Sequence, residues 1–367
     1  MESNSWTIGN QLVSGFYPNR IPNPDLKWEK TGQFDIGFDL GLFNNRLRLT
    51  ADYYYKKTTD LLYNVAIPSA SGYDSMLKNI GSVQNKGYEL SIESDNLSGA
   101  FSWTTAFNIS FNRNKVLELG GETYKDVGTY DDHLKTSDIR RLIVGQPIGV
   151  FYGYRFDGIF QNEAECAQQT SSPSPIGVGL RRYKDLNGDG KIDATNDREI
   201  LGDANPKFFG GMTNTFAYRG FELNVFLQYS YGNKIFNYNA MELESPTGGQ
   251  NVYQDLVNRW TPTNPSNEYQ KATTNRNNIV SDRFIEDGSF LKLKTVSLSY
   301  SFPKLNWKHL GGLRLYVTGQ NLLTWTKYRG YDPEVSYRGA STLEAGEDFG
   351  GYPQARTFMF GIKLDIK

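Results

Sequence analysis

The sequence predicts an all-β protein built from long antiparallel strands. Three observations support this fold class: apolar and polar residues alternate over long runs, turn signals separate the runs, and aromatic residues make up 14% of the 367 residues. Aromatic side chains suit a pleated surface. Period-two alternation places successive side chains on opposite faces of a strand.

The clearest pair of strands comes early in the chain. Between residues 33 and 42 every second residue is apolar, and Asp or Gly fills most of the positions between them. A second alternating run covers 47–56, and the turn residues Asn44 and Asn45 separate the two runs. Asn tolerates the left-handed backbone that hairpin turns need. We therefore expect an antiparallel hairpin here.

The same pattern recurs to the end of the chain. Further alternating runs cover 88–93, 101–112, 216–218, 221–231, 296–302, 313–317 and 358–366. We predict about ten strands, several of them ~10 to 13 residues long, which is the length that crosses a bilayer at a tilt. Tight turns such as Arg219-Gly220 alternate with connections of tens of residues, as between Lys56 and Gly87. This asymmetry is typical of outer-membrane barrels.

Alternation alone does not separate a membrane barrel from a soluble β-sandwich. In a sandwich the apolar faces form a core between two sheets, whereas in a barrel they face lipid. The asymmetric connections favour the barrel. No segment approaches the ~20 consecutive apolar residues of a membrane-spanning helix. One helix is predicted at 251–260, ended by Pro262 and placed in a loop.

Charge and cysteine content exclude several function classes. The formal net charge is -1, so no basic field recruits nucleic acid, and we predict no nucleic-acid partner. The single cysteine, Cys166, cannot form an internal disulfide and is interpreted as a loop residue. With His133 and His309 as the two histidines, there is no zinc-ligand set.

No catalytic constellation stands out. Three adjacent residues, Asp131, Asp132 and His133, have no nucleophile elbow beside them in the sequence. We therefore expect them to lie in a surface loop. Acid pairs such as Asp332 and Glu334 are compatible with glycoside hydrolysis, but 40 acids produce such pairs by chance. We predict that the protein is not an enzyme.

One motif carries explicit metal chemistry. The segment 185–193 has the oxygen and glycine spacing of an EF-hand calcium loop, although no amphipathic helices flank it. Position twelve is Asn196 where Glu is expected, so Asp197 or Glu199 would close the shell if the loop bulges by a residue or more. The alternative is a polar loop of Asx turns without metal. The predicted ligands of this structural Ca²⁺ site are Asp185, Asn187, Asp189, Lys191 through its carbonyl, Asp193 and Asp197.

Several longer segments carry a family resemblance. They include Asn85-Lys-Gly-Tyr-Glu-Leu90, Tyr183-Lys-Asp-Leu-Asn-Gly-Asp-Gly190, Asn205-Pro-Lys-Phe-Phe-Gly-Gly211, Gly319-Gln-Asn-Leu-Leu323 and Gly330-Tyr-Asp-Pro-Glu-Val335. In sequence and in order they resemble the C-terminal half of the SusC/RagA family of TonB-linked outer-membrane proteins. The resemblance runs nearly end to end.

This resemblance implies a fold and a function. Residues 1–367 would form the C-terminal portion of a transmembrane β-barrel of about 22 strands with long extracellular loops. The plug domain and the N-terminal strands are absent from the sequence, so we expect a fragment or a chain that completes its barrel with another polypeptide. The calcium loop would be extracellular.

The implied partners are a SusD-like surface lipoprotein, the TonB complex acting through the absent N-terminal part, outer-membrane lipid, and a glycan or peptide substrate. The implied activity is TonB-dependent import of glycans or other oligomeric nutrients across the bacterial outer membrane. The alternative is a soluble or surface glycan-binding β-protein without transport activity.

Overall fold

The computed structural model describes residues 2–8, 11–17, 20–67, 69–71, 73, 75–127, 136, 139–244, 251–274, 278–302, 310–339 and 341–366. Its largest sheet has nine antiparallel strands, which we number β1 to β9 in chain order. Their bounds are Lys30–Leu42 (β1), Leu47–Thr59 (β2), Ser82–Leu97 (β3), Phe101–Glu118 (β4), Phe208–Tyr218 (β5), Phe221–Tyr231 (β6), Phe290–Ser301 (β7), Leu310–Thr326 (β8) and Thr357–Ile366 (β9). The predicted all-β class is confirmed.

Each strand pairs with its neighbours in the chain, so the sheet is an up-and-down meander. At one end the turns are short: residues 43–46 join β1 to β2, and Arg219 with Gly220 joins β5 to β6. Both central residues of that two-residue turn have positive φ, 45° and 87°, as a tight hairpin turn requires. At the other end the connections are long. They cover 60–81, 119–207, 232–289 and 327–356.

One face of the sheet is apolar and exposed. An apolar row crosses six neighbouring strands at paired positions, formed by Trp103, Phe216, Leu223, Leu298, Val317 and Phe360. Phe360 is 82% exposed and Leu298 42% exposed. A β-sandwich would bury such a row against a second sheet. An outward apolar face instead suits lipid, as the barrel prediction requires. We call this surface the apolar face.

The opposite face is polar. Arg314 on β8 forms an ion pair with Glu222 on β6 and a hydrogen bond with Ser299 on β7. Gln228 and Lys292 point to the same side, since they lie opposite each other in the β6–β7 register. This polar face is the side on which the long connections pack.

The connections contain most of the short elements. Their strands, and those preceding β1, are Glu2–Ile8, Gln11–Tyr17, Arg20–Ile21, Leu62–Ala66, Ser75–Asn79, Tyr124–Val127, Arg140–Ile143, Val150–Tyr154, Phe156–Ile159, Arg181–Tyr183, Arg198–Gly202, Lys234–Asn237, Ile285–Asp287 and Glu347–Asp348. The described residues include two short α-helices, α1 (Glu163–Cys166) and α2 (Tyr238–Leu243), and 3-10 helices at Ser69–Ser71, Gln254–Asn258 and Asp282–Phe284. In the part of the chain that the structure describes, no helix combines the length and apolar character needed to cross a membrane.

The largest hydrophobic core lies within these connections. Phe151, Phe236 and Phe284 have no exposed surface, and Met241 and Val280 complete the centre of the cluster with further residues. These residues come from the 119–207 and 232–289 connections, and Phe349 of the 327–356 connection packs against them. The three longest connections therefore fold as one packed unit at their end of the sheet.

The nine strands of this sheet in the described part of the chain agree with the prediction of about ten. Two sequence-based expectations need correction. The 251–260 segment forms only a 3-10 helix at Gln254–Asn258, because its Asn and β-branched residues favour helices weakly and Leu256 is the one buried residue of that short helix. Cys166 is not a plain loop residue. It is buried at the end of α1, where burial raises the pKa of its thiol.

Candidate functional site

A buried ionic cluster joins the sheet to the 327–356 connection. Lys292 of β7 is 2% exposed, and its Nζ lies 2.6 Å from Asp332 Oδ1 and also binds Glu334. Lys294 Nζ lies 2.9 Å from the same Glu334. Gln228 of β6 also donates a hydrogen bond to the Glu334 carboxylate. We call this group the Lys292 cluster. It holds the connection against the polar face.

The charges of this cluster stabilise the ionised carboxylates. Burial alone would raise the pKa values of Asp332 and Glu334, but hydrogen bonds and charge from Lys292 outweigh it, with help from Lys294 at Glu334. Both pKa values therefore lie below their ordinary values of 3.8 and 4.5. The two acids act as anchors. Neither is placed as the raised-pKa proton donor that glycoside hydrolysis requires.

A second buried pair joins two connections. Arg140 and Glu347 are each 1% exposed, and Arg140 Nε lies 3.0 Å from Glu347 Oε1. Arg140 also donates to the carbonyl oxygens of Gly149 and Ala345, and its guanidinium lies 4.2 Å from the ring centroid of Phe151. Burial raises the pKa of Glu347 against the opposing effect of Arg140. The pair fixes the 119–207 connection to the 327–356 connection.

Glu244 forms a third ionic centre. It is 3% exposed, at the end of α2, and lies 2.7 Å from Arg283 and 3.2 Å from Arg329. Arg329 also pairs with Glu286 at 2.9 Å. Sequence reasoning missed all three centres, because their partners lie far apart in the chain, 207 residues in the Arg140–Glu347 pair. The one local signal was a Lys pair at positions 292 and 294, just before the predicted run 296–302.

The predicted calcium ligands lie in one loop between the strands Arg181–Tyr183 and Arg198–Gly202. Asp185 accepts hydrogen bonds from the backbone N–H groups of Gly188 and Gly190, at 2.6 and 2.7 Å. These bonds lower the pKa of Asp185. Asp189 likewise accepts from the N–H of Lys191, and Asn187 donates to Asp189 at 3.1 Å.

The other two acids close the loop. Asp193 accepts from the N–H groups of Thr195 and Asn196, both at 2.8 Å, and these bonds lower its pKa. Asp197 is fully buried and accepts from the N–H of Leu186 and of Asp193, each at 2.8 Å. The side chain that crosses the loop is therefore Asp197 and not Asn196.

The donor chemistry of this loop suits calcium, while its carboxylates are already held by hydrogen bonds within the loop. Carboxylate and amide oxygens are the ligands that Ca²⁺ prefers. Within the described ranges, no three His, Cys, Asp or Glu side chains come together as a group that could hold a metal ion. The carboxylates bind the N–H groups of their own loop, as in the Asx-turn alternative. Calcium binding stays a prediction.

The remaining sequence candidates add no site among the residues that the structure describes. Asp131, Asp132 and His133 lie outside the described residues. The acid pair Asp332 and Glu334 belongs to the Lys292 cluster. The arrangement as a whole offers a rigid polar surface at the long-connection end of the sheet.

Comparison with known proteins identifies the family. The family of TonB dependent receptor-like β-barrels matches residues 3–164. TonB-dependent receptor P3 of Formosa agariphila is 41% identical over 366 residues, which cover 97% of this chain and 36% of the relative. This chain carries part of the β-barrel of the TonB-dependent receptors. Their barrels lie in the bacterial outer membrane, and the family is one of receptors and transporters and not of enzymes.

Two further relatives of this TonB-dependent receptor chain support the SusC/RagA resemblance. TonB-dependent receptor SusC of Bacteroides thetaiotaomicron is 29% identical, over 98% of this chain and 34% of its own length. The solved RagAB peptide transporter superposes with a TM-score of 0.79 at 26% identity, over 99% of this chain and 38% of that one. The chain thus spans about a third of the length of these relatives, and it matches the C-terminal part of the barrel.

Proposed function

We propose that this chain forms one section of the wall and outer mouth of a transporter that imports glycans or other oligomeric nutrients, such as peptides, across the outer membrane. The observation that carries the proposal is the two-faced sheet. Its apolar face carries exposed large side chains on eight of its nine strands, all except β2, and its polar face receives the packed connections. Lipid on one side and an aqueous lumen on the other would account for both faces.

The rest of the barrel would complete the sheet. Among the described residues β1 pairs only with β2, and β9 only with β8, so each carries one open edge. Open edges are not stable in a bilayer, because their N–H and C=O groups lack partners there. Strands from the remainder of a protein of the relatives' length would close the barrel, and coupling to the TonB complex would run through that remainder.

A SusD-like surface lipoprotein would cover the long connections. Support comes from the similarity to SusC and RagAB and from the packed core that the long connections share. Large aromatic side chains remain available there, since Tyr331 is 81% exposed and Tyr352 is 93% exposed. Such rings provide contact area to a lipoprotein partner or to a glycan ring.

Uptake by cells tests the transport proposal. Full-length protein containing this chain is expressed in a strain that lacks its own copy, and the uptake of labelled oligosaccharides and oligopeptides is measured. We expect uptake of one class, abolished by a protonophore, since TonB coupling needs the proton gradient. Correct insertion without uptake of either class contradicts transport. Binding of a glycan by the chain in buffer without lipid or detergent supports the soluble alternative.

A further inference from the structure

An apolar pocket lies where the 60–81 connection meets the ends of β3 and β4. Its volume is about 280 Å³. Val116 and Leu142, which are 1% and 7% exposed, form its floor, while Leu62 and Leu343 stand at its rim. We call it the Leu62 pocket. A dry apolar cavity of about 150 Å³ already holds a benzene ring. The Leu62 pocket therefore has room for one large apolar side chain.

Backbone hydrogen bonds preform the pocket. The N–H of Val116 donates to Gln146 O at 2.9 Å, and Gly145 N–H donates back to Val116 O at 2.8 Å. Across the pocket, Ile80 N–H donates to Leu61 O at 2.8 Å and closes the base of the 60–81 connection. A pocket held by backbone bonds needs little ordering when a ligand enters, which favours affinity.

The pocket is on the polar side of the sheet. Phe111 of β4 belongs to the apolar face, opposite Tyr88. Side chains alternate along a strand, so Asn114 and Val116 lie on the other side. In agreement, Asn114 accepts a hydrogen bond from the N–H of Ile148 in the packed connections, at 2.6 Å. Membrane lipid on the apolar face therefore does not reach this pocket.

Charged groups line the same pocket. Glu118 and Glu122 contribute to it, and so does Lys125, whose Nζ lies 3.9 Å from the ring centroid of Tyr63. An apolar interior beside charged groups of both signs suits a ligand that combines an apolar group with polar and charged groups. A glycan ring fits poorly, because each hydroxyl placed in the aliphatic interior would lose its hydrogen bonds with water.

We propose that the Leu62 pocket is a cargo subsite that binds the apolar side chain of an imported peptide. This proposal rests on the transport function proposed above and assigns peptides, not glycans, to this position. The apolar side chain would fill the pocket, and basic groups of the peptide would pair with Glu118 and Glu122.

Peptide binding to purified full-length transporter tests the subsite. The probes are Lys-Gly-X-Gly-Lys peptides with X as Leu, Phe or Ser, and maltoheptaose, measured by isothermal titration calorimetry. We expect the Leu and Phe peptides to bind at least about tenfold more tightly than the Ser peptide, from the apolar area that they bury. Equal binding of all three peptides, or binding of maltoheptaose alone, overturns the subsite.

Matched substitutions localise the effect. Leu62→Trp fills the pocket from its rim and is expected to reduce the Leu-over-Ser preference to less than about threefold. Leu26→Trp is the control, since Leu26 is 40% exposed against 41% for Leu62 and does not line the pocket. Heat-modifiable gel migration reports folding, and Leu343→Phe replaces Leu62→Trp if that variant does not fold. An unchanged preference in a folded filled variant overturns the proposal.

The cell assay separates the two proposals. Uptake of any oligomer by cells, without preference for apolar peptides, leaves transport standing and removes only the subsite. Loss of uptake of every peptide and glycan, by correctly inserted protein, removes the transport function itself.

Discussion

Replacing Lys292 by methionine is expected to release the 327–356 connection from the sheet. Lys292 is 2% exposed and binds Asp332, which is 6% exposed, together with Glu334. Methionine keeps the length of the side chain but leaves the two carboxylates without this cation. Removing one partner of a buried ion pair costs roughly 3 to 5 kcal/mol. Glu334 keeps Lys294, so we take the low end, about 3 kcal/mol.

Hydrogen exchange measures this cost directly. The N–H of Glu334 donates to Asp332 at 2.9 Å, so this amide reports whether the connection is attached. A cost of about 3 kcal/mol raises the population of the open form, and hence the exchange rate, on the order of 100-fold. Lys294→Met is the matched control. Its side chain is 28% exposed and pairs only with the half-buried Glu334, so the expected increase is below about fivefold.

Two results decide the reasoning. Equal exchange rates in Lys292→Met and Lys294→Met would refute the claim that burial makes Lys292 the anchor. A second variant combines Lys292→Met with Asp332→Asn and Glu334→Gln, which removes the buried charges with their partner. We expect this variant to recover much of the protection, because the cost arises from uncompensated charge.

Three further predictions follow from the same structure. Because the pKa values of both acids in the Lys292 cluster are lowered, their contribution to stability is complete above about pH 5 and is lost as the pH falls through the lowered values. The exchange rate of the Glu334 amide, divided by its intrinsic rate at each pH, should therefore rise only below about pH 4. Calcium should slow proteolysis of the 185–197 loop in full-length protein, with reversal by chelator and loss of the effect in Asp189→Ala; protection that does not change with calcium supports the metal-free loop. Leu298→Arg, on the apolar face, should lower barrel stability by about 2 to 4 kcal/mol if that position lies near the bilayer midplane, whereas a water-exposed site would tolerate it.

Sequence patterns predicted the wall of this protein well, because its strands obey a local rule. Each strand contains an alternating run, and the register needs only the neighbouring strand. The run 221–231 coincides with β6 residue for residue. Strands whose ends enter the packed connections were predicted too short, as at 88–93 against Ser82–Leu97. There the residues facing the connections are not alternately apolar and polar, so the periodic signal fades before the strand ends.

The helices and buried charges were less predictable for different reasons. Helix α1 is a single turn capped by Asn162, whose side chain accepts the N–H of Glu165. A single turn is too short to show the hydrophobic periodicity of an amphipathic helix, so only its capping residues could have predicted it. Glu244 and Arg140 read in the sequence as ordinary surface charges. Their burial depends on partners from other connections, which no local pattern contains.

Buried ion pairs explain how the long connections are held against the polar face of the sheet, where, among the described residues, no large apolar core joins the two. The sheet turns its apolar residues outward, so few remain to hold the connections to its polar face. Apolar packing around Phe236 joins the connections, but it does not fix the position of one connection relative to the next. Ion pairs do, because moving either partner leaves a buried charge uncompensated. The Arg140–Glu347 pair and the Lys292 cluster each tie the 327–356 connection to a different neighbour. With two such anchors, that connection cannot shift against the wall without breaking at least one of them, and a pocket at its border keeps its shape.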